Sequence, residues 1–355
     1  MAFISAYIKW YIDYTWYEAY YKHRKNETKG KMVRGMSLGQ SNAKAAAQAA
    51  GRRRKTREGF FLFLLAFPFI AMSFVFTYLP LHGWIYAFFN FRPGNTLAQS
   101  DFVGFYFFIH LFQNPIRVQQ FLQVMRNTFA MSGLTILFSW FPVAFAILLS
   151  EVRFSGVKKS IQVLTTLPHY ISWVLVFAMA FAMLSHDGMV NNLLMSLGLI
   201  EAPIHFLRQG GPQVWGIMTA WGVWKSFGFG AIIYLAAITG IDQELYEAAR
   251  VDGAGRFRLI WHITVPGILP TYTVLLLLAI ANFLNNGFEQ FFLFSNAFNT
   301  RHIEVLDLYV YNLSFGGRAF SLATAISMMR SVISVIMLFS INALSKVLRG
   351  GESII

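Results

Sequence analysis

The chain has no cysteine, and only 13% of its 355 residues are charged. Without cysteine it forms neither a disulfide framework nor a thiolate metal site. Hydrophobic residues make up 56% of the chain and its mean hydropathy is +0.50, which is too apolar a balance for a soluble domain with a wetted surface. The composition therefore predicts an integral membrane protein.

Two common motifs of enzyme active sites are also missing from the sequence. It contains neither a GxxxxGK[ST] phosphate-binding loop nor an HExxH zinc motif. His169, His186 and His205 are scattered, without the spacing of a metal site. We therefore predict that the chain is not an enzyme, does not hydrolyse ATP, and holds no metal or other cofactor of its own.

The net charge of +13 is concentrated at one end of the chain. Residues 1–59 contain 13 Lys and Arg but 4 Asp and Glu, and a basic run over residues 52–57 directly precedes a long apolar segment. Such a run is typical of the cytoplasmic flank of a first membrane helix, where it meets anionic lipid. This interpretation is favoured over a nucleic-acid-binding arm, so membrane lipid is the expected partner and nucleic acid is not.

Residues 1–58 form a segment of their own. An aromatic stretch with interleaved charge is followed by an alanine-rich stretch that is a good helix former. This pattern predicts a cytoplasmic or interfacial segment, with one helix lying on the inner leaflet and a second in the cytoplasm. A poorly ordered tail is the alternative.

Six apolar runs are long enough to cross a bilayer, which takes roughly 20 helical residues for a hydrocarbon core about 30 Å thick. Each run must be helical, because unpaired backbone amides cannot face lipid. The segments that connect them on the side of the N-terminus are richer in Lys and Arg. We therefore predict an all-α, polytopic membrane protein with both termini inside, a membrane domain over residues 59–349 and a tail over 350–355. The predicted spans are residues 59–81, 127–149, 161–184, 214–239, 270–293 and 321–345.

A polar, patterned segment separates the fourth and fifth spans, with the sequence YEAARVDGAGRFRLIWHITVPGILP. Its start predicts a short helix over Gln243–Val251, with small alanines that allow another protein surface to come close. Gly253 is expected to end this helix in a left-handed conformation. Pro266 and Pro270 frame the start of the next membrane helix, where a missing amide proton costs little.

This segment resembles the EAA loop of binding-protein-dependent ATP-binding-cassette importers, whose pattern is Glu-Ala-Ala, three residues, Gly, nine residues, Ile, two residues, Pro. Every position of the pattern matches within residues 241–266. The resemblance implies a permease subunit whose loop forms a coupling helix that docks in a cleft of the ATPase subunit. It assigns a polar contact to Glu247, close approach to Ala248 and Ala249, and the turn to Gly253, which follows Asp252.

Other stretches narrow the resemblance to the carbohydrate-uptake branch. Asp252 and Gly253 followed by HITVP, and later NFLNNGFEQFFLFSN, are similar to permeases for uronate-type oligosaccharides such as aldouronates or alginate fragments. The resemblance covers about residues 60–350. It implies oligosaccharide import through a bacterial inner membrane by alternating access, with an acidic sugar preferred over a neutral one.

The same resemblance implies three kinds of protein partner outside this chain. These are a second homologous permease subunit, two ATPase subunits that bind ATP and Mg, and an extracytoplasmic solute-binding protein. Two other classes stay open as alternatives. A membrane enzyme acting on lipid-linked sugar predicts paired carboxylates, and an ion-driven transporter predicts inverted repeats, whereas Glu289 is the one acidic residue in the predicted spans.

Polar groups inside spans are candidates for the substrate pathway, because they are costly to place in lipid. In the fifth span, Asn282, Asn285, Asn286 and Glu289 recur at helical spacing, which predicts one polar face suited to sugar hydroxyls. Hydrogen bonding between helices is the alternative role for the asparagines.

The fourth and sixth spans contribute four further candidates. Lys225, Ser226 and Phe229 lie in the fourth span and Arg330 lies near the middle of the sixth. The resemblance implies substrate contacts at Lys225 and Ser226, and a cation there would favour an acidic sugar. The alternative for Arg330 is pairing with Glu289 or with a carboxylate of a partner subunit.

Overall fold

The computed structural model describes residues 61–208 and 211–348, with side chains as far as residue 343. The predictions for residues 1–58 and for the tail over 350–355 fall outside these residues. Within them, the chain is helical apart from connecting turns and one antiparallel bridge between Phe89 and Phe102. The all-α prediction is therefore confirmed.

Fifteen α-helices organise the described residues, and the first of them turns π-helical over Phe74–Tyr78 and then 3₁₀-helical. In chain order they are Phe61–Phe88 (α1), Tyr106–Gln113 (α2), Pro115–Leu137 (α3), Trp140–Ser150 (α4), Ser155–Tyr170 (α5), Trp173–Leu184 (α6), Met189–Ser196 (α7), Gln213–Thr239 (α8), Gln243–Val251 (α9), Arg256–Leu259 (α10), Val265–Ala281 (α11), Glu289–Phe294 (α12), Thr300–Ile303 (α13), Leu306–Tyr311 (α14) and Phe320–Leu348 (α15).

Six stretches of the described chain are long and apolar enough to cross a membrane, as predicted, although their bounds differ from those expected. They are Phe61–Phe88, Pro115–Ser150, Trp173–Ser196, Gln213–Thr239, Arg256–Ala281 and Phe320–Ala343. The chain divides into two compact units, residues 1–80 and 81–355. In the first unit, residues 61–80 form a helix without a buried side chain, which suits a lipid-facing surface.

The third predicted span is not one helix. The prediction of a continuous helix over residues 161–184 is wrong, because α5 ends at Tyr170 and α6 begins at Trp173. Pro168 lies in the last turn of α5, where its missing N–H and its ring weaken the hydrogen bonding of that turn. Ser172 then caps α6 by accepting a hydrogen bond from the Leu175 N–H. Local chemistry therefore favours a break at this point.

The fifth predicted span is also interrupted. The helix starts earlier than expected, at Arg256, passes through a π-helical turn over Ile260–Thr264, and ends at Ala281. Residues 282–288 are not helical, so the predicted helical stripe of asparagines is wrong. Gly287 has a φ of +85°, which only glycine adopts readily.

Helix α8 lies at the centre of the second unit. Near one end, Val214 and Met218 pack with Phe291 and Phe294 of α12. Towards the other end, Ala231 and Leu235 belong to a second apolar cluster, which α4 and α11 complete. Helices α4 and α5 make its most extensive contacts. This central position places α8 between the polar segments that carry the candidate sites.

Candidate functional site

A cavity of about 500 Å³ opens beside α8 at the interrupted end of the fifth span. None of the described residues that line it is charged. Its polar lining consists of Ser132, Thr135, Ser139, Thr219, Ser226, Tyr234, Asn282, Asn285, Asn286 and Gln290. Aromatic rings, among them those of Phe138, Trp173 and Phe227, form much of the remaining wall. Amides and hydroxyls beside flat apolar rings can hydrogen bond to a polyhydroxylated molecule and stack on its apolar faces.

The asparagines of the broken segment are held by local hydrogen bonds. Asn282 donates from Nδ2 to the Leu278 carbonyl at 3.0 Å, and Asn285 donates to Oδ1 of Asn282 at 3.3 Å. Asn286 donates to Oγ of Ser132 at 2.8 Å, which ties the segment to α3. The hydroxyl of Ser132 in turn donates to the carbonyl of Phe283. The segment is thus an ordered, non-helical wall.

Two buried polar atoms in the cavity wall have no hydrogen-bond partner among the described residues. They are Oδ1 of Asn286 and Oγ1 of Thr219. A buried polar atom without a partner costs about 1 to 3 kcal/mol, so such atoms need an explanation in a folded protein. A ligand in the cavity that both donates and accepts hydrogen bonds would supply the missing partners.

The structure brings together half of the predicted pathway residues. Ser226, Asn282, Asn285 and Asn286 line the cavity, whereas the other four do not. Glu289 begins α12 and is exposed, while its neighbour Gln290 lines the cavity and donates to the Met218 carbonyl at 2.7 Å.

Phe229 and Lys225 face the end of α5 rather than the cavity. The ring of Phe229 stacks on His169, with centroids 4.0 Å apart and an interplanar angle of 4°. Lys225 donates from Nζ to three backbone carbonyls at the break between α5 and α6. Helical spacing alone does not reveal these partners, because they belong to another span.

Arg330 has an intramolecular partner. Its guanidinium forms an ion pair with Asp307 of α14. The alternative role of pairing with a carboxylate is thus met within this chain, by Asp307 and not by Glu289. Asp307 lies outside the predicted spans, so a search for acidic residues within the spans could not find it.

Sequence reasoning missed several polar side chains of the cavity. Ser132, Thr135 and Ser139 follow one another at spacings of three and four residues in or just after α3, and Thr219 lies one to two turns before Ser226 in α8. That spacing puts the members of each set on a common helix face. Small hydroxyl residues at helical spacing were the available signal, although such residues also pack helices together in membranes.

The coupling segment has the predicted local structure. Helix α9 covers Gln243–Val251, and Asp242 caps it by accepting from the Glu244 N–H at 3.0 Å. Gly253 has a φ of +76°, as expected for a residue that ends a helix in the left-handed region. The N–H of Ala254 then donates to the Ala249 carbonyl at 2.9 Å.

The surface of this segment is open. No residue of α9 is buried, and two large apolar side chains, Val251 at its end and Phe257 in α10, are 88% and 90% exposed. Trp261 is 70% exposed. Clustered apolar side chains on a polar segment are typical of a protein interaction surface.

The same segment is attached firmly to the membrane helices. The hydroxyl of Tyr246 in α9 lies 3.0 Å from Oγ1 of Thr264, just before α11. A methyl group built on Gly267 of α11 would lie 2.5 Å from the side chain of Ile241, so the backbone and that side chain pack closely. These contacts attach the segment around α9 to the start of α11.

Comparison with known proteins identifies the class of this molecule. The family described as "Binding-protein-dependent transport system inner membrane component" matches residues 145–350. The chain belongs to this family. It is a multi-pass inner membrane protein and a permease component of an ATP-binding-cassette transporter, which is a transport subunit rather than an enzyme. The predicted family, fold class and location are confirmed.

Two curated relatives from Bacillus subtilis (strain 168) match most of the chain. Protein LplB is 39% identical over 290 residues, which cover 80% of this chain and 88% of LplB. The polygalacturonan/rhamnogalacturonan transport system permease protein YteP is 36% identical, over 81% of this chain and 88% of YteP.

A solved structure is similar in both sequence and fold. It is a chain of a bacterial ABC transporter involved in the import of the acidic polysaccharide alginate, with a TM-score of 0.73 and 33% identity over 82% of this chain and 97% of that one. A second structure of a bacterial alginate ABC transporter, in complex with its alginate pentasaccharide-bound periplasmic protein, also has a TM-score of 0.73.

Proposed function

We propose that this chain is the permease subunit of an importer of acidic, uronate-type oligosaccharides. The alginate transporter, at 33% identity, and YteP, with its polygalacturonan/rhamnogalacturonan name, support this substrate class. The cavity beside α8 is the proposed sugar site, and alternating access of the spans moves the sugar through the inner membrane.

The observation that carries the proposal is the chemistry of the cavity wall. It combines amides, hydroxyls and aromatic rings, and it contains the two buried atoms without partners, Oδ1 of Asn286 and Oγ1 of Thr219. Sugar hydroxyls can donate to the first and accept from the second. The volume of about 500 Å³ lies within the usual range for small-ligand sites, roughly 300 to 1,000 Å³.

The cavity also bears on how a charged sugar is held. Because none of its described lining residues is charged, a uronate carboxylate would meet amide and hydroxyl donors from this chain. We propose that a second homologous permease subunit forms the rest of the pathway and supplies any cation. Lys225 does not supply it, since its ammonium group is already bound by carbonyl oxygens.

The remaining partners follow from the coupling segment and from the transporter class. Two ATPase subunits, which bind ATP and Mg, would each provide a cleft for a coupling helix. In this chain Glu247 makes the polar contact, Ala248 and Ala249 allow close approach, and Asp252 and Gly253 form the turn. The open surface of α9 supports such docking. An extracytoplasmic solute-binding protein delivers the sugar, as the alginate transporter complex suggests.

The proposal is tested by assembling the complex in lipid vesicles and measuring ATP hydrolysis and uptake. The binding protein is loaded with uronic or with neutral oligosaccharides of equal length. We expect uronic sugars to stimulate both activities. Asn286→Ala combined with Thr219→Val should reduce uptake by roughly thirtyfold, since two lost hydrogen bonds of about 1 kcal/mol each amount to about 2 kcal/mol.

Neutral oligosaccharides are the second candidate, and the uncharged cavity wall is the observation that favours them. If neutral sugars alone stimulate ATP hydrolysis and uptake, the proposed substrate class is wrong, whereas the proposed role as an importer subunit stands. Absence of uptake for every sugar, with the complex assembled and hydrolysing ATP, would refute the proposed function.

A further inference from the structure

The interruption of the third span leaves backbone carbonyls to be satisfied. Helix α5 ends at Tyr170, so the carbonyls of its last turn lose their helical amide partners, although the carbonyl of Pro168 still accepts from the Ile171 N–H at 3.2 Å. An unpaired carbonyl at membrane depth costs several kcal/mol, so another donor is expected at this break.

Lys225 of α8 donates hydrogen bonds to three carbonyls at this break. Its Nζ donates to the carbonyls of Pro168 at 3.2 Å, His169 at 2.7 Å and Ile171 at 2.6 Å. An ammonium group has three donors, so none remains for a sugar carboxylate. A cation at the end of a helix also stabilises the negative end of the helix dipole. Lys225 thus acts as a cap supplied by a neighbouring helix.

The same face of α8 holds the end of α5 at two further points. A methyl group built on Gly228 would collide with the carbonyl oxygen of Thr165, so the two backbones are in close contact there. Phe229 stacks on His169. Residues 225, 228 and 229 are spaced by three and four positions, which puts them on one helix face. Together they form a junction between α8 and the broken span.

This junction lies directly behind the cavity wall. Trp173, the first residue of α6 after the break, lines the cavity, and its ring centroid lies 5.5 Å from Nζ of Lys225. Ser226, the next residue after Lys225, lines the cavity too. At its far end α8 leads through Gly240 to the coupling helix α9. The junction therefore stands between the coupling helix and the cavity.

We infer that Lys225 is a positioning residue rather than a substrate ligand: it holds the break of the third span against α8, sets Trp173 in the cavity wall, and transmits movement of the coupling helix to that wall. The inference rests on the proposed transport function. It assigns Lys225 to the conformational step and leaves recognition of the sugar to the polar residues of the cavity.

The test is a double-mutant cycle in the assembled complex, with binding-protein-dependent uptake as the readout. Lys225→Met removes the donors and keeps the apolar stem, Trp173→Ala removes the positioned ring, and Asn285→Ala alters the cavity independently. We expect Lys225→Met to lower maximal uptake by about tenfold with little change in the half-saturating concentration of loaded binding protein. Adding Trp173→Ala should cause little further loss, whereas adding Asn285→Ala should multiply the two losses.

Conservative variants keep the inference testable if Lys225→Met fails to assemble. Lys225→Arg keeps a cation with several donors, and Lys225→Gln keeps two donors without charge. We expect uptake to fall in the order Lys, Arg, Gln. Equal uptake in wild type and both variants would overturn the inference. So would a Lys225 variant that changes only the half-saturating concentration of loaded binding protein. The inference would also fail if a Lys225 variant were non-additive with Asn285→Ala but additive with Trp173→Ala.

The outcome is separable from that of the proposed function. Wild-type complex that takes up no sugar would refute the proposed function. Wild-type complex that takes up sugar, together with a Lys225→Met variant that does so equally well, would refute only the positioning role.

Discussion

Buried asparagines in this chain serve irregular backbone. Asn127 is fully buried and donates to the carbonyls of Arg301 and Glu304, both at 3.0 Å. Asn191 is equally buried and both donates to and accepts from the backbone of Ile204 at 2.9 Å. A primary amide has two donors and an acceptor, so it can replace the pairing that a regular helix provides. The non-helical segments of this membrane protein are stabilised in this way.

Gly228 gives a prediction at the scale of one atom. Gly228→Ala places a methyl group against the Thr165 carbonyl and forces α5 and α8 apart. We expect a loss of stability of about 1 to 3 kcal/mol, the usual cost of overpacking. The measurement is the thermal unfolding midpoint of the purified protein in detergent.

Gly216 provides the matched control, because it lies in the same helix with open space around it. Gly216→Ala should stabilise the helix by roughly 0.5 to 1 kcal/mol, through reduced backbone freedom of the unfolded chain. Equal midpoints for the two variants would contradict the proposed contact between α5 and α8.

Glu304 gives a prediction for pH dependence outside the spans. Burial raises the pKa of its carboxyl above the usual 4.5, although a hydrogen bond from Asn312 lowers the pKa in part. A raised pKa means that the folded state favours the protonated acid. Its contribution to stability is therefore present below pH 4.5 and is lost as the pH rises through the folded-state pKa.

We expect Glu304→Gln, which stays neutral and keeps an oxygen acceptor for Asn312, to unfold at a higher temperature than wild type at pH 7. The difference should shrink as the pH approaches 4.5 and below. Thermal unfolding across that range measures it, with Glu201→Gln at an exposed position as control. A difference that grows on acidification would show that the carboxylate, not the acid, is favoured in the fold.

At the scale of elements, the turn after α9 restricts the choice of residue more than α9 itself does. Gly253 has a φ of +76° and nothing within 4 Å of a built methyl group, so a side chain there is opposed by backbone conformation alone. Gly255, two residues later, has open space and a φ of −74°, which any residue adopts. These two glycines form a natural pair for comparison.

We expect Gly253→Ala to cost about 1 to 2 kcal/mol at the turn and to reduce copurification of the ATPase subunits together with sugar-stimulated ATP hydrolysis. Gly255→Ala should leave both close to wild type. If the two variants behave alike, the left-handed turn is not what orients α9.

The interrupted spans are also features of whole elements. Polar groups that would lie along a lipid-facing helix instead form the wall of a cavity, because the chain leaves the helix at Asn282 and resumes it at Glu289. Irregular backbone at membrane depth is tolerated where it lines a cavity or is buried in protein. The break therefore marks the proposed polar pathway.

At the scale of the whole molecule, the distribution of basic residues predicts that α9 lies in the cytoplasm. The absence of cysteine makes this testable with single introduced thiols. Glu201 precedes the span Gln213–Thr239, Arg258 lies at the very start of the next span, Arg256–Ala281, and both are exposed. One crossing separates them, so they must lie on opposite faces of the membrane.

In cells whose inner membrane is intact and can be reached by the reagent on its outer face, we expect a membrane-impermeant maleimide to label Glu201→Cys and not Arg258→Cys. Permeabilised cells should label both, which controls for reactivity. The reverse pattern would invert the topology and would place the coupling helix where no ATPase could reach it.

The sequence by itself determined the features that depend on neighbouring residues. The apolar length of the spans, the bounds of α9 and the left-handed Gly253 all follow from local propensity and are confirmed. The tertiary structure alone decided which polar groups meet. Lys225 finds carbonyls 54 to 57 positions away, Arg330 finds Asp307, and Asn286 finds Ser132. A buried polar group takes its partner from whatever helix packs beside it, and that choice is made by packing across the bundle rather than by spacing along the chain.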